Sequence, residues 1–578
     1  MKTRPGTFAV RAVNQYRRRD VLPYLGLRYY LENSAARTDH WARDVSVDLV
    51  LQRTDSGYMK AKHFKSVNDD GSINHREMFL PGPNESLAEA VLVNECAKVG
   101  RGFSLHNRVF SYFPAEDNDL SGVFSHYMNG LKARHVAISS VCKEQPNAVV
   151  QFFDIKRFYP SIKTEIAHRE WGEACGKSGL SPRFQSLGEK LLFDHGNANQ
   201  NEPDRILTGP MFSHLIGNLV LAKVDEALAA ASAQYFRYVD DVVLVGTADE
   251  VRTSSELLHR LLNDLGLELH DESSDKSLSI RSTEWLQGEH DFTDSSKPVS
   301  WMTLVGDLKR LLLWHPEKTD EIRNALSNEG FRMPLPDYTG AVRDRRFVAR
   351  SRELIQRQWF QKVVRKISPE TVLNQARMLR SQYDQELRQA LEQLSQVTGF
   401  AAKRIMPKAR YCIGRLAYLA APDRLIELSM DASETPAFYF QSEVARAIGT
   451  GEIDRVISLG TNAAQAVAQP LRMAGGNVML SREPQTTVET QSLAVFSMNG
   501  VSVDIESTLV KEDELYQLAN LGVSAHMMQS ASSFIREIAC LHGLADEPRH
   551  AKVLDSAFDE AEEIALDAIE QARPSLSL

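Results

Sequence analysis

The chain has 578 residues, of which 43% are hydrophobic and 25% charged, and its formal net charge is −9. This balance is typical of a globular protein. It contains no run of about 18 apolar residues that would predict a transmembrane helix. The basic N-terminus lacks the apolar segment of a secretory signal. Five scattered cysteines without a CxxC pair predict neither a disulfide framework nor a zinc site.

Residues 1–300 alternate between helix-like and strand-like segments, which predicts an α+β fold. The turn-rich segment 69–83 is predicted as a loop. Apolar β-formers predict strands at 148–155 and 235–246. Helical spacing predicts helices at 213–231 and 254–269, the second ending at Gly266.

The pattern of residues 301–578 predicts mainly α-helices, arranged as stacked helical hairpins, although no clean repeat period is present. A short β-like insert is predicted at 492–507. Residues 343–366 hold nine Lys/Arg against two Asp/Glu. Such a block is typical either of a surface that binds an acidic or nucleic-acid partner or of a solvated helix face. Both interpretations stay open. The acidic tail from Asp555 is read as a solvated face.

Two acidic motifs interrupt the apolar strands. In FRYVDDVVLVG, Asp240 and Asp241 have apolar β-formers on both sides, and Asp154 ends the strand VVQFFD. Adjacent strand side chains point to opposite faces, so the paired acids are predicted at a turn between two strands. Aspartate is also common in plain surface turns. Carboxylates from neighbouring strands suit Mg²⁺, and two such ions can drive in-line phosphoryl transfer.

A third segment, LTGPMFSHLIGNLVL, lies between these motifs and places Gly209 and Ser213 at the start of a helix. A glycine turn at this point permits close backbone approach to a nucleotide or a template strand. The alternative is a plain helix N-terminus.

The order and spacing of these segments resemble the palm of reverse transcriptases. FFDIKRFYPSI resembles the first catalytic motif, TGPMFSHLIGNLVL the next, and YVDD the catalytic hairpin. LGLELHDESSDKS and WLQG resemble the two motifs that follow, and NRVFSY and GLKARHVAI resemble the fingers. The resemblance covers about residues 90–290. A palm followed by a long helical region is similar to the abortive-infection and defence-associated reverse transcriptases of bacteria.

This resemblance implies palm and fingers in residues 1–300, followed by a HEAT-like helical repeat domain in 301–578. It implies a DNA polymerase, RNA-directed or template-independent, that uses two Mg²⁺ ions, with Mn²⁺ as a substitute. The expected partners are dNTP, the DNA product, a non-coding RNA template and further copies of the chain in a trimer or hexamer, with no membrane. The expected setting is antiphage defence in the bacterial cytoplasm. Some members of the family prime synthesis from a protein tyrosine.

The resemblance also assigns roles to residues. It implies that Asp154 and Asp240 are metal ligands and that Asp241 is a third acid of the catalytic and metal site. Tyr159 matches the position where a bulky aromatic ring excludes a ribose 2′-hydroxyl, with a core aromatic as the alternative. The other expected nucleotide-binding residues are Ile155, Arg108, Lys132, Arg134, Gly209, Ser213 and Lys276.

One departure from the family pattern is clear. Leu207 and Thr208 stand where the family has Pro-Gln, and that glutamine packs against the nascent base pair. Two alternatives remain beside the main reading. One is a retron-type enzyme that copies a dedicated structured RNA. The other is a catalytically idle palm that serves as a binding scaffold, although all three acids of an active palm are present.

Overall fold

A computed structural model describes the chain from Gly6 to His542. The described part excludes residues 18–19, 69, 118, 272–275, 288–299, 334, 336–355, 357, 434, 475, 504, 506–509 and 511. The basic stretch 343–366 therefore lies mostly outside the described residues, and the acidic tail from Asp555 lies wholly outside them. None of the described helices is long and apolar enough to cross a membrane. None of the five cysteines, all of which lie in the described part, forms a disulfide bond.

The first half of the chain mixes helices and strands, as its alternating patterns predict. Its strands are β1 (Tyr58–Val67), β2 (Ile73–Pro81), β3 (Val149–Asp154), β4 (Gln234–Tyr238), β5 (Asp241–Gly246) and β6 (Leu278–Arg281). Its helices are α1 (Thr7–Tyr16), α2 (Val21–Tyr30), α3 (Val47–Gln52), α4 (Pro83–Val99), α5 (Tyr127–Glu144), α6 (Phe158–Ser161), α7 (Thr164–Lys177), α8 (Pro182–Ala198), α9 (Met211–Ala229), α10 (Ala248–Asp264) and α11 (Ser282–Gln287), with a π-helical segment at Trp41–Ser46.

An antiparallel sheet of order β4-β5-β3-β6 carries the acidic motifs. Alternate side chains of its strands are buried on both faces, which explains the nearly continuous apolar runs. On one face Val243, Val245 and Phe236 pack with Ile138 of α5. On the other face Val242, Leu244 and Tyr235 join the core that includes α9 and α10. The sheet therefore lies between two apolar layers, and its edge strand β6 is the most exposed of the four.

The prediction of a loop at 69–83 is wrong. Residues Ile73–Pro81 form β2, which pairs antiparallel with β1 from Tyr58↔Pro81 to Val67↔Ile73. The strand carries a run of polar and charged residues because much of this two-stranded ribbon is partly exposed, so the apolar alternation that marks a half-buried strand is missing. Only the residues at its tip form a turn.

The second half is helical, as predicted. Its helices are α12 (Trp301–Trp314), α13 (Thr319–Asn328), α14 (Gln358–Val364), α15 (Pro369–Leu394), α16 (Gly399–Leu419), α17 (Pro422–Ser433), α18 (Tyr439–Thr450), α19 (Asp454–Leu459), α20 (Thr461–Ala474), α21 (Thr487–Met498), α22 (Glu514–Leu521) and α23 (Ser533–His542). Short 3-10 turns lie at Pro316–Lys318, Pro436–Phe438 and Ala525–Gln529. The described strands here are β7 (Asn477–Val478) and β8 (Ser502–Val503). The predicted β-like insert at 492–507 is largely wrong, because its apolar start is the end of α21.

The two halves share one hydrophobic core, although the sequence places a boundary near residue 300. Leu22 and Leu25 of α2 pack in the same cluster as apolar residues of α12–α23. Hydrogen bonds join the β1–β2 ribbon to the second half: the Phe64 amide donates to Asn462 at 3.0 Å, and Gln491 donates to the Lys60 carbonyl at 2.9 Å. The ribbon is therefore held by helices that follow it by some 400 residues.

A buried acid lies where α4 meets α9. Glu89 is 0% exposed. It accepts hydrogen bonds from the Tyr58 hydroxyl at 2.6 Å and from the Phe212 amide at 3.1 Å. Burial raises the pKa of this carboxyl to about 7, although the hydrogen bonds work against the shift. Between about pH 4.3 and pH 7, Glu89 is therefore protonated in the folded protein. In the unfolded chain, where the pKa of a glutamate is about 4.3, the same group has lost its proton.

Glu89 should make the free energy of unfolding fall as pH rises from about 4.3 to 7, because the folded state binds more protons than the unfolded state across this window. We expect Glu89→Gln to lose less stability between pH 5 and pH 8 than the unmodified protein does, as measured by urea denaturation. Glu256→Gln, on the exposed face of α10, is the matched control. Identical pH dependence in the two variants would contradict this assignment.

Candidate active site

Three carboxylates meet at one end of the sheet. Asp154, the last residue of β3, pairs directly with Asp241, the first residue of β5. Asp240 precedes it in the two-residue turn that joins β4 to β5, and the Asp240 carbonyl accepts a hydrogen bond from the Ile155 amide at 3.2 Å. The predicted placement at a turn is confirmed for Asp240, while Asp241 begins the strand that follows. The pairing of β3 with β5 is what brings Asp154 to them.

Two of the three acids, Asp240 and Asp241, have raised pKa values. Burial raises the pKa of Asp240 to about 6, and the negative charges of Asp241 and Asp154 add to the shift. Burial also raises the pKa of Asp241, while the positive charge of Arg134 opposes it. Crowded carboxylates of this kind disfavour the fully ionised site and favour a bound cation.

Two basic side chains lie against Asp154. The Lys276 ammonium is 3.1 Å from Asp154 Oδ2 and 3.3 Å from Oδ1. Nε2 of His270 is 3.3 Å from Asp154 Oδ1. Lys276, whose side chain is 44% exposed, is therefore one of the predicted residues that the structure does bring to the acids.

The three acids offer carboxylate oxygens, the ligand type that Mg²⁺ prefers. Among the described residues, however, no group of three or more His, Cys, Asp or Glu side chains is placed to hold a metal ion. Mg²⁺ does not require one, because it is commonly held by one or two carboxylates together with substrate phosphates and water. Asp154, Asp240 and Asp241 offer only oxygen ligands, at a point where negative charge is crowded.

Arg134 of α5 lies beside the acids with an unused donor. Its guanidinium lies over the Tyr238 ring, 5.4 Å from the ring centroid. Nη1 is buried and lacks a hydrogen-bond partner among the described residues. Burial lowers the pKa of Arg134, and the charges of Asp241 and Asp240 oppose this change. A buried, unsatisfied guanidinium N–H suits an anionic group such as a phosphate. Lys132, two residues earlier, is exposed.

Tyr159 is fixed by neighbours that the sequence did not indicate. Its hydroxyl lies 2.6 Å from Nδ1 of His214 in α9. The His214 ring stacks on Tyr112 with centroids 3.7 Å apart. Burial raises the pKa of Tyr159 well above its ordinary value, and the negative charge of Asp240 contributes. Tyr159 therefore lies within electrostatic reach of the acids.

Two predicted nucleotide-binding residues have internal contacts. Ile155 is 1% exposed, and the backbone, not the side chain, connects it to the acids. Ser213 is 0% exposed and its hydroxyl donates to the Leu207 carbonyl at 2.6 Å. Both side chains belong to the core between the sheet and α9.

Gly209 and Arg108 also make contacts within the fold. A Cβ on Gly209, where φ is +124°, would lie 2.6 Å from the Phe79 carbonyl oxygen, so the close approach that this glycine permits is to β2. Arg108 donates to the Gln234 side chain at 2.8 Å. Gln234 begins β4, four residues before Tyr238 at the turn, a distance of roughly 13 Å along the strand.

The β1–β2 ribbon adds positive charge that sequence reasoning missed. Burial lowers the pKa of Lys65 in β1, and the charges of Lys276, Arg76 and Arg157 lower it further, while Asp154 raises it. Lys65 of the ribbon thus lies within electrostatic reach of Asp154.

The helical half also reaches the site. Phe400 of α16 packs against Phe152 of β3, with ring centroids 6.3 Å apart. Arg404 donates to the Gln287 carbonyl at 3.0 Å. The positive charge of Lys403 lowers the pKa of Asp241, against the larger effect of burial. The helical half therefore contributes to the charge around the acids.

No protein-family model matches the chain, and no curated protein matches it. Similar solved structures include the apo telomerase from Candida tropicalis, at 9% identity and a TM-score of 0.26, over 40% of this chain and 46% of that chain. They also include that telomerase truncated from its C-terminal domain, at 10% identity and a TM-score of 0.27, over 39% and 52% of the two chains. The chain spans about half the length of these structures. Likeness at this level defines neither the fold nor the activity, and the interpretation below rests on the site.

The crowding of the acids predicts opposite effects of one substitution with and without Mg²⁺. Asp240→Asn should raise the free energy of unfolding without Mg²⁺, by about 1 kcal/mol after allowance for solvent screening, because it removes one of the crowded charges. The same variant should lose most of the increase in Tm that Mg²⁺ gives the unmodified protein. Thermal unfolding with and without Mg²⁺ measures both effects.

Asp249→Asn is the control, because it makes the same chemical change on the exposed N-terminal turn of α10. An equal Mg²⁺ response in the unmodified protein, Asp240→Asn and Asp249→Asn would exclude Asp240 as a ligand.

Proposed function

We propose that this chain is a DNA nucleotidyltransferase of the reverse-transcriptase kind, which adds dNTP to a DNA 3′ end. The observation that carries the proposal is the cross-strand pair Asp154–Asp241 with Asp240 in the adjoining turn. Two strands and one tight turn bring three carboxylates to one end of a sheet whose β4 and β5 are largely buried. The YVDD and FFD motifs supply the same residues from the sequence.

Two Mg²⁺ ions, when bound, would activate the 3′-hydroxyl and stabilise the leaving pyrophosphate. Asp154 and Asp240 would hold them, with Asp241 as the third acid. We assign the binding of the phosphates to basic side chains of the protein. Lys276 stands beside Asp154, where it can neutralise the departing pyrophosphate or give it a proton. The free Nη1 of Arg134 suits a phosphate oxygen of the incoming nucleotide.

Selectivity for dNTP is the part of the proposal that depends on Tyr159. A ring held in one position can exclude a 2′-hydroxyl, whereas a mobile ring can move aside. The hydrogen bond to His214 and the stacking of His214 on Tyr112 supply that restraint. The proximity of Tyr159 to Asp240 supports a place beside the bound sugar.

The proposal extends to a role in antiphage defence in the bacterial cytoplasm, with a non-coding RNA template or none, and to a trimer or hexamer. These points rest on the resemblance of the motif order and the long helical region to defence-associated reverse transcriptases. An idle binding scaffold fits less well, because such a scaffold has no need to keep three mutually repelling acids. A retron-type enzyme would share the chemistry and differ in its template.

Removal of either principal acid should abolish dNTP incorporation. We expect Asp154→Ala and Asp240→Ala to reduce the rate by roughly 10³-fold or more, since catalytic groups that act as a unit cannot replace one another. Incorporation of labelled dNTP by the purified full chain measures the rate, and the Tm shows whether each variant is folded. Asp249→Ala is the control. A folded Asp240→Ala variant with a rate within tenfold of the unmodified protein would refute the assignment.

Tyr159→Val should raise the ratio of NTP to dNTP incorporation, because it removes the ring that meets the 2′-hydroxyl. Tyr159→Phe keeps the ring and loses only the contact with His214, so it should preserve much more of the discrimination. Competition between labelled NTP and dNTP at one template position, or at one terminal addition, measures the ratio. If Tyr159→Val leaves the ratio unchanged, the ring is core packing alone.

A further inference from the structure

The turn that carries Asp240 has an unusual backbone. Val239, its first residue, has φ +58°. A β-branched residue is rarely found in this left-handed region, which glycine or asparagine normally occupies in a two-residue hairpin turn. Strained residues of this kind persist only where the surroundings hold them. The direction in which Asp240 leaves the turn depends on this conformation, because Val239 immediately precedes it.

Both polar groups of the Val239 backbone are bound by side chains. Its amide donates to the Ser111 hydroxyl at 2.9 Å. Its carbonyl accepts from Arg237 Nη1 at 2.9 Å. Ser111 and Arg237 are each 1% exposed. The strained residue is therefore fixed from two sides by buried groups, where water does not compete for the hydrogen bonds.

Arg237 is itself held in place by α9. Its Nε and Nη2 each donate to the Asp225 carboxylate at 2.7 Å, and Nη1 donates to the Asn218 side chain at 3.1 Å. The Tyr235 hydroxyl donates to the same Asp225 at 2.7 Å. A bidentate arginine–carboxylate pair fixes the orientation of the guanidinium plane. Through Arg237, the position of the Val239 carbonyl therefore depends on the position of α9.

We infer that Arg237 and Ser111 are positioning residues, which hold Val239 in the left-handed conformation and so aim the Asp240 carboxylate at the position beside Asp154. This inference rests on the proposed function, because it assigns the two residues a purpose in nucleotidyl transfer. The competing explanation is purely structural: a buried ion pair and a buried serine that only secure the fold.

A double-mutant cycle separates the two explanations. Ser111→Ala removes one of the two hydrogen bonds without leaving a buried charge. We expect it to lower kcat for dNTP incorporation roughly tenfold, the effect of losing one buried hydrogen bond, and to raise the Mg²⁺ concentration needed for half-maximal rate. Val239→Gly adopts the left-handed conformation without strain. In the Val239→Gly background, the same Ser111→Ala change should lower kcat less than about twofold.

Ser139→Ala is the matched structural control. Ser139 is also buried, at 2% exposure, and its hydroxyl accepts a hydrogen bond from the Trp285 indole at 3.0 Å, on α5 and α11. We expect it to lower Tm about as much as Ser111→Ala does and to leave kcat unchanged. The inference is overturned if Ser111→Ala lowers kcat by the same factor with Val239 and with Gly at that position. It is also overturned if Ser139→Ala lowers kcat as much as Ser111→Ala does.

A second readout keeps this test independent of the activity. Mn²⁺ binding to the full chain, measured by electron paramagnetic resonance, should weaken in Ser111→Ala and recover when Val239→Gly is added. Absence of dNTP incorporation by the unmodified protein would refute the proposed function, and the Mn²⁺ titrations would then decide the positioning inference. Equal Mn²⁺ affinity in all four members of the cycle would overturn it.

Discussion

The repulsion among Asp154, Asp240 and Asp241 is the constraint on which the site depends. Burial, and after it the charges of the neighbouring acids, raise the pKa values of Asp240 and Asp241, so the ionised site is unfavourable without a cation. The fold offsets this cost through the pairing of β3 with β5, which is anchored by apolar side chains on both faces of the sheet. The register of β3 against β5 thus brings the acids together, and a register shift of one residue would separate them.

Positive charge around the acids comes from widely separated segments. Arg134 lies on α5, Lys276 precedes β6, Lys65 lies on the β1–β2 ribbon and Lys403 on α16. This explains how a chain with a net charge of −9 can present a local site suited to a triphosphate. It also gives the helical half a physical connection to the site, because the ribbon and α16 are both held by packing across residue 300.

The sequence predicts the parts of the site that local pattern controls. Asp240 falls between two apolar strands and Asp154 at the end of a third, so their positions follow from alternation and turn chemistry. Helical spacing also predicts α9 and α10, although the predicted start of α10 at residue 254 is wrong, because the helix begins six residues earlier at Ala248. The residues that depend on tertiary contact were not predictable. Nothing local marks β2 as a strand, the unused donor of Arg134, or the contact between His214 and Tyr159. Gly209 illustrates the limit: the need for a glycine was visible, but its neighbour Phe79 lies 130 residues away in the sequence.

A crystal of the full chain, grown with Mn²⁺ and a dNTP that cannot be cleaved between its α- and β-phosphates, tests the central claim most directly. We expect anomalous scattering peaks from Mn²⁺ ions bound to carboxylate oxygens of Asp154 and Asp240, with the triphosphate beside them and Lys276 moved from Asp154 toward the phosphates. Mn²⁺ and nucleotide bound elsewhere, with Lys276 still paired to Asp154, would contradict it.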